Sequence, residues 1–315
     1  MRLPTETVAA LPSQAEEGSW LIKSLWRAEA VGIIGGAPKC CKSWLALDMA
    51  VSVASGTACL GCFDVEHSGP VVVFLAEDPL PELKDRVVQI CRHRGLALEG
   101  LPLHAVTAPR LRLDVEEDRS ALEETLAAIR PRLLVLDPLV RLHSRDENAS
   151  SDIAELLGFL RGLNRQYALA IMLVHHMAKR ARRDPGQALR GSSDLHAWTD
   201  SACYLLRRVD ALRLVVEHRA AAAPEPLEIQ LAQNPCRLEL RRTEAAPLPL
   251  AEAVRAELRR AEAPLSRTAL RRTLKVNNAR LGETLLLLEA RGLLTRSPGG
   301  WVLAVGAAEQ TQLSF

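Results

Sequence analysis

Residues 31–43 read VGIIGGAPKCCKS, and a helix-like run follows them to residue 55. Val31, Ile33 and Ile34 form a short β-branched run that breaks into small residues before Lys42-Ser43 opens the helix. A strand that ends this way delivers an anion to a helix N-terminus, where unpaired backbone N–H groups and the positive end of the helix dipole face outward. The pattern is G-x-x-x-x-G-K-[ST], the Walker A loop, with Gly36 first, Lys42 set for the β- and γ-phosphates and Ser43 for Mg²⁺. The wrapping stretch is Gly36, Ala37, Pro38, Lys39, Cys40, Cys41, Lys42, Ser43 and Trp44. Cys41 stands where the second glycine belongs. A Cβ in a left-handed conformation costs about 1–2 kcal/mol, so the departure weakens the match without cancelling it. The plain alternative is a strand–turn–helix corner with no ligand.

Working outward, the chain has 315 residues, 48% hydrophobic and 25% charged, with a net charge of +2, enough for one large domain and a small one. That composition excludes a disordered chain. Residues 1–20 carry acids and prolines in place of a basic cap and an apolar core, and no stretch reaches the apolar length of a membrane helix, so the expected compartment is the cytoplasm, without membrane contact. Seven cysteines without framework spacing read as buried or free thiols in a reducing compartment, and the adjacent Cys40 and Cys41 lack a zinc-ligand spacing.

Residues 1–18 read as a loose arm, and residues 20–26 as an apolar lead into the first core strand. Continuous apolar runs at 70–76, 132–136 and 168–174 are strands buried on both faces of a parallel sheet, and helical spacing covers 81–94, 116–129 and 153–167. The strands end in Glu77-Asp78, Asp137-Pro138 and His175-His176. This predicts a doubly wound α/β sheet with its site at the strand C-termini. Shorter strands at 203–206, 212–217, 227–231 and 237–240 read as a meander extending the sheet in antiparallel sense. Asp137 fits the Walker B carboxylate that shares Mg²⁺ with Ser43, although many strands end in Asp. Glu77 is placed to polarise the attacking water; its alternative is a helix cap or a surface acid.

Taken together, Lys42-Ser43, Glu77, Asp137-Pro138, His175-His176 with Lys179, and Arg190-Gly191-Ser192-Ser193 resemble the RecA-fold ATPases of the RepA type, plasmid replicative hexameric helicases, and more distantly DnaB, over residues 20–242. The resemblance implies a RecA-like P-loop core, ATP and Mg²⁺, assembly as a hexamer, and single-stranded DNA in the ring channel. It makes Glu77 the catalytic base and His176, with His175 beside it, the γ-phosphate sensor; a core imidazole is the alternative for either. The RepA pattern carries its arginine finger after R-G-S-S, where this chain has DLHAWTD and no arginine, so the DnaB-like position, Arg207 or Arg208 at the next strand end, takes the role. Lys179, Arg180, Arg182 and Arg183 form a basic loop that would track a phosphate backbone in the channel, or simply a solvated loop.

Residues 244–249 read as a linker. Beyond it, three helix-like segments and two short strands around Pro298-Gly299-Gly300 resemble a winged helix over 250–305, with a tail at 306–315; residues 19–243 form the ATPase domain. After residue 246 there are ten Lys/Arg against six Asp/Glu, leaving 30 against 32 for the rest, an asymmetry that suits nucleic acid. Asn277, Asn278 and Arg280 would face a duplex groove and Arg296 sits on the wing, although winged helices also serve as protein-contact modules. Two functions fit: a ring-forming DNA motor serving replication of a mobile element, and an ATP-switched DNA-binding regulator or loader that does not unwind.

Overall fold

In the computed structural model, the described residues are 3–10, 19–145, 150–177, 193–207, 212–241, 250–261 and 263–304. Most of the expected arm, the linker, the tail, the basic loop with Lys179, Arg180, Arg182 and Arg183, and Arg208 lie outside them. The chain divides into two units, Met1–Arg241 and Arg242–Phe315.

The first unit runs β1 (Trp20–Ile22), β2 (Trp26–Arg27), β3 (Val31–Gly36), α1 (Lys42–Ser55), β4 (Val71–Leu75), α2 (Leu80–Arg94), β5 (Leu103–Ala105), α3 (Glu116–Ile129), β6 (Leu133–Asp137), α4 (Ser150–Tyr167), β7 (Ala170–His176), α5 (Ser193–Trp198), β8 (Ser201–Arg207), β9 (Leu212–His218), β10 (Leu227–Ala232) and β11 (Arg237–Leu240). Nine strands form one sheet in the order β11-β10-β9-β8-β3-β7-β6-β4-β5. The six strands from β8 to β5 are parallel, and β9, β10 and β11 continue the sheet antiparallel. This is the RecA-like P-loop arrangement, an α/β fold with a mainly parallel sheet.

The pleat sorts the strands into two cores, because successive side chains point to opposite faces. Ile34, Val71, Val73, Leu133, Val135, Met172 and Val174 pack with α1 and α2. Val31, Ile33, Val72, Phe74, Leu134, Leu136, Ile171 and Leu173 pack with α3 and α4 on the other face. Asp48, buried on α1, fixes that helix to its surroundings: Arg94 of α2 lies 2.7 Å from its carboxylate, and the Leu60 N–H donates to it at 2.9 Å.

Three expectations change. Residues 20–26 do not lead straight into the core sheet but fold into a separate two-stranded ribbon, β1 with β2, over which the chain turns before entering β3. The first strand of the expected meander, β8, runs from 201 to 207 and pairs parallel with β3, so only the last three strands are antiparallel. The close approach of β8 is built on Gly32, where a Cβ would meet the Ser201 carbonyl oxygen at 1.7 Å. His175 and His176 lie within β7 rather than beyond it.

The second unit consists of α6 (Leu250–Arg260), α7 (Arg267–Leu274), α8 (Asn278–Ala290) and a hairpin of β12 (Leu294–Ser297) and β13 (Gly300–Leu303). Ser266 caps α7, its hydroxyl accepting from the Ala269 N–H at 3.1 Å. Leu265 bridges Trp301 in antiparallel sense, and Val254, Leu258, Leu270, Leu281, Leu285 and Leu288 close a core of its own under the hairpin.

Candidate nucleotide site

The loop between β3 and α1 turns through two left-handed residues, Lys39 at φ 60° and Cys41 at φ 64°. Cys41 occupies the N-cap position of α1 with no side-chain cap, so the first-turn N–H groups are left for a ligand. The conformation the missing glycine would have supplied is kept, with a Cβ present. Gly36 is needed where it stands, since a Cβ there would lie 2.5 Å from the Cys40 sulfur and 2.9 Å from the Leu205 carbonyl oxygen. Burial raises the Cys40 and Cys41 thiols above the ordinary thiol value, which keeps both protonated at neutral pH. The Lys42 side chain is buried and its Nζ donates to the Ala37 carbonyl at 3.0 Å, curling back over the loop. Ala37, Pro38 and Lys39 are exposed at its crest; Ser43 and Trp44 are half-buried in the first turn of α1.

Strand order sets the neighbours. β7 and β8 flank β3, and register places Gly36 beside His176 on one side and Leu205 on the other. Met172 and Val174 belong to the core on the α1 side, so alternation puts His176 on that side, with the loop, and the buried His175 toward α3 and α4. The same alternation places Asp137 on the α1 side, after Leu133 and Val135. Asp137 is buried, its Oδ2 has no hydrogen-bond partner, and burial pushes its carboxyl up to about 6, with Asp78 and Glu77 adding to the rise and the Ser43 hydroxyl and Lys42 opposing it. Those four opposing and assisting groups converge on one point from β4, α1 and the loop. The β4 end is tied in by the Ala76 N–H donating to the Asp137 carbonyl at 2.7 Å. Glu77 follows, exposed, with its Oε1 2.9 Å from Arg141 Nε.

The structure brings together Lys42, Ser43, Glu77, Asp137 and His176 at the C-terminal edge of the parallel strands, where open α/β sheets bind ligands. His175 is separated from them by the sheet. Arg207 reaches across its own chain and donates to the Lys39 carbonyl. Sequence reading missed Arg86, which pairs with Asp78 at 2.7 Å and lies over the Trp44 ring at 5.7 Å, and Arg141. Both are helix or turn residues whose partners are set by tertiary packing, so no local pattern announces them.

An orphaned buried carboxylate oxygen beside a hydroxyl is suited to a hard cation. Among the described residues no group of three or more His, Cys, Asp or Glu could hold a metal, so an ion at Asp137 and Ser43 would complete its shell with phosphate oxygens and water.

In the second unit, Asn277 and Asn278 are exposed at the start of α8; the side chain of Arg280 lies outside the described residues. Arg296 pairs with Glu289 at 3.2 Å and covers the Trp301 ring at 4.8 Å. The exposed basic residues of this unit include Arg267, Arg271, Arg272 and Lys275 on and just after α7, a face the sequence reading passed over. Among the described residues no helix is long and apolar enough to cross a membrane.

Comparison with known proteins agrees with this geometry. The family profile described as AAA domain matches residues 1–182. Among solved structures, the crystal structure of the RadB recombinase superposes with a TM-score of 0.50 at 16% identity, covering 67% of this chain and 90% of that one. The ATPase domain of a DnaB-like helicase superposes with a TM-score of 0.51 at 14% identity, covering 67% of this chain and 84% of that one. At these identities the likeness is one of fold.

Proposed function

Because the chain belongs to the AAA domain family, and its first unit has the fold of a RecA-like ATPase, we propose that it is a Mg-ATP-dependent DNA motor of the RepA type. In this reading it assembles as a homo-oligomeric ring, a hexamer, and serves replication of a mobile element. The observation that carries the reading is the meeting of Lys42, Ser43, Glu77, Asp137 and His176 at one strand edge, around a carboxylate oxygen left without a partner. A recombinase among the structures of like fold supports DNA as the partner.

Lys42 would release the Ala37 carbonyl and place its charge on the β- and γ-phosphates. Asp137 and Ser43 would hold Mg²⁺, which neutralises charge on the phosphate oxygens when bound. Glu77 takes a proton from the attacking water while that water's oxygen bonds to the γ-phosphorus and the bridging oxygen leaves with ADP. His176, on the loop side of β7, would sense the γ-phosphate. Lys179, Arg180, Arg182 and Arg183, directly downstream, would carry that signal to single-stranded DNA. We further read the second unit as a winged helix that binds duplex DNA, joined at 244–249 to an ATPase domain of 19–243.

A second reading is favoured by one contact. Arg207 is engaged with its own Lys39 carbonyl, where a finger serving a neighbouring subunit would point away. An ATP-switched DNA-binding regulator or loader, with nucleotide controlling assembly and no unwinding, fits that contact. ATP turnover with and without single-stranded DNA, run beside sizing of the assembly and a strand-displacement assay, separates the two: a stimulated, ring-sized, unwinding protein supports the motor, and turnover without displacement supports the switch.

A further inference from the structure

Arg141 ends the 3-10 turn Leu139–Arg141, four residues beyond Asp137, and its Nε lies 2.9 Å from Oε1 of Glu77. The other arginines of this region stitch the scaffold: Arg145 pairs with Asp152 and Glu155 of α4, and Arg112 with Asp114. Arg141 instead engages the carboxylate assigned above as the base. Its backbone is pinned from behind, because the Leu113 N–H donates to the Leu142 carbonyl at 2.6 Å and both the N–H and the hydroxyl of Ser144 donate to Asp114, at 2.9 and 2.6 Å. The guanidinium itself is 61% exposed and the Glu77 side chain 47%. A fixed post therefore carries a movable cation, in an ion pair that solvent and salt weaken.

We propose that Arg141 is a positioning residue that latches Glu77: it holds the carboxylate away from the hydrolytic water until the phosphodiester backbone of a single-stranded nucleic acid draws the guanidinium off. The proposal rests on the reading of Glu77 as general base. A base must present a free oxygen to the water, and here Oε1 is committed to a cation. Guanidinium exchanges readily between carboxylate and phosphate, since its planar fork matches both. An exposed pair is weak enough to be broken by such a competitor and strong enough to hold back turnover about fivefold.

The test is steady-state ATP turnover of the full chain with and without oligo-dT, for wild type, Arg141→Ala, Arg141→Lys and Glu77→Gln, with nucleotide binding and thermal melting confirming that each variant folds. Arg141→Ala should raise basal turnover about fivefold, toward the stimulated wild-type rate, and oligo-dT should then add little. Arg141→Lys should restore low basal turnover and stimulation in part. An unchanged or lower basal rate in Arg141→Ala, or equal stimulation of that variant and wild type, overturns the latch; a lower rate with a raised KM would instead assign Arg141 to the nucleotide. Glu77→Gln separates the two claims: if it hydrolyses ATP like wild type, the base assignment fails, whatever Arg141 does.

Discussion

Replacing Asp137 by asparagine should stabilise the ligand-free protein while abolishing hydrolysis. The carboxyl is pushed from 3.8 to about 6 chiefly by burial, so at neutral pH the fold carries a charge it holds at a cost. The displacement of about two pK units, at 1.36 kcal/mol each, sets that cost at about 3 kcal/mol. Between pH 3.8 and about 6 the folded chain retains a proton that the unfolded chain has released; the native state then binds more protons, and unfolding free energy falls as pH rises through this window. The amide has no such titration. Denaturation by urea in EDTA, from pH 5 to 7.5, should show the Asp137→Asn advantage growing to between about 1 and 3 kcal/mol, or a melting rise of roughly 2–4 °C per kcal/mol for a unit of this size. Mg²⁺ with nucleotide should narrow the gap, because the wild-type carboxylate gains a counter-charge that the amide does not. A variant no more stable than wild type at pH 7.5, or a gap independent of pH, would refute the argument that burial without a partner sets this carboxyl.

Lys42→Ala should lose nucleotide affinity, measured by titration with a fluorescent ATP analogue; unchanged turnover would remove the site assignment. Cys41→Gly should stabilise the chain by about 0.5–1 kcal/mol, the relief of a left-handed Cβ less the added freedom of the unfolded glycine, and a lower melting temperature would show that the thiol's packing outweighs backbone strain. Arg207→Ala mixed with Lys42→Ala reports where the arginine acts. Restored turnover in the mixture would mean that Arg207 serves a neighbouring phosphate site, whereas loss in every mixture fits a cis role on its own loop.

The parts of the site that sequence carried well are those fixed by strand ends. Continuous β-branched runs marked β4, β6 and β7, and a parallel sheet leaves whatever follows such runs at one edge, so Glu77, Asp137 and His176 were legible before any coordinates. What pattern did not carry was pairing between distant strands. Cys203-Tyr204-Leu205 has the same alternation whether it pairs parallel or antiparallel, and only the close approach to β3 at Gly32 decides it. The roles of the two neighbouring histidines could not be told apart either, since face depends on register and not on adjacency. Long charged side chains were least legible. Arg86, Arg141 and Arg207 all end on partners at least eight residues away, in directions that helix and strand periods do not specify.

Both rims of the nine-stranded sheet are short, three residues in β5 and four in β11. A rim of that length offers an incoming chain little backbone to pair with, which discourages a sheet this wide from growing edge to edge. Self-association of the first unit is therefore left to side chains. Contacts of that kind can be made to depend on whether a nucleotide is present, and a backbone ladder, once zipped, cannot.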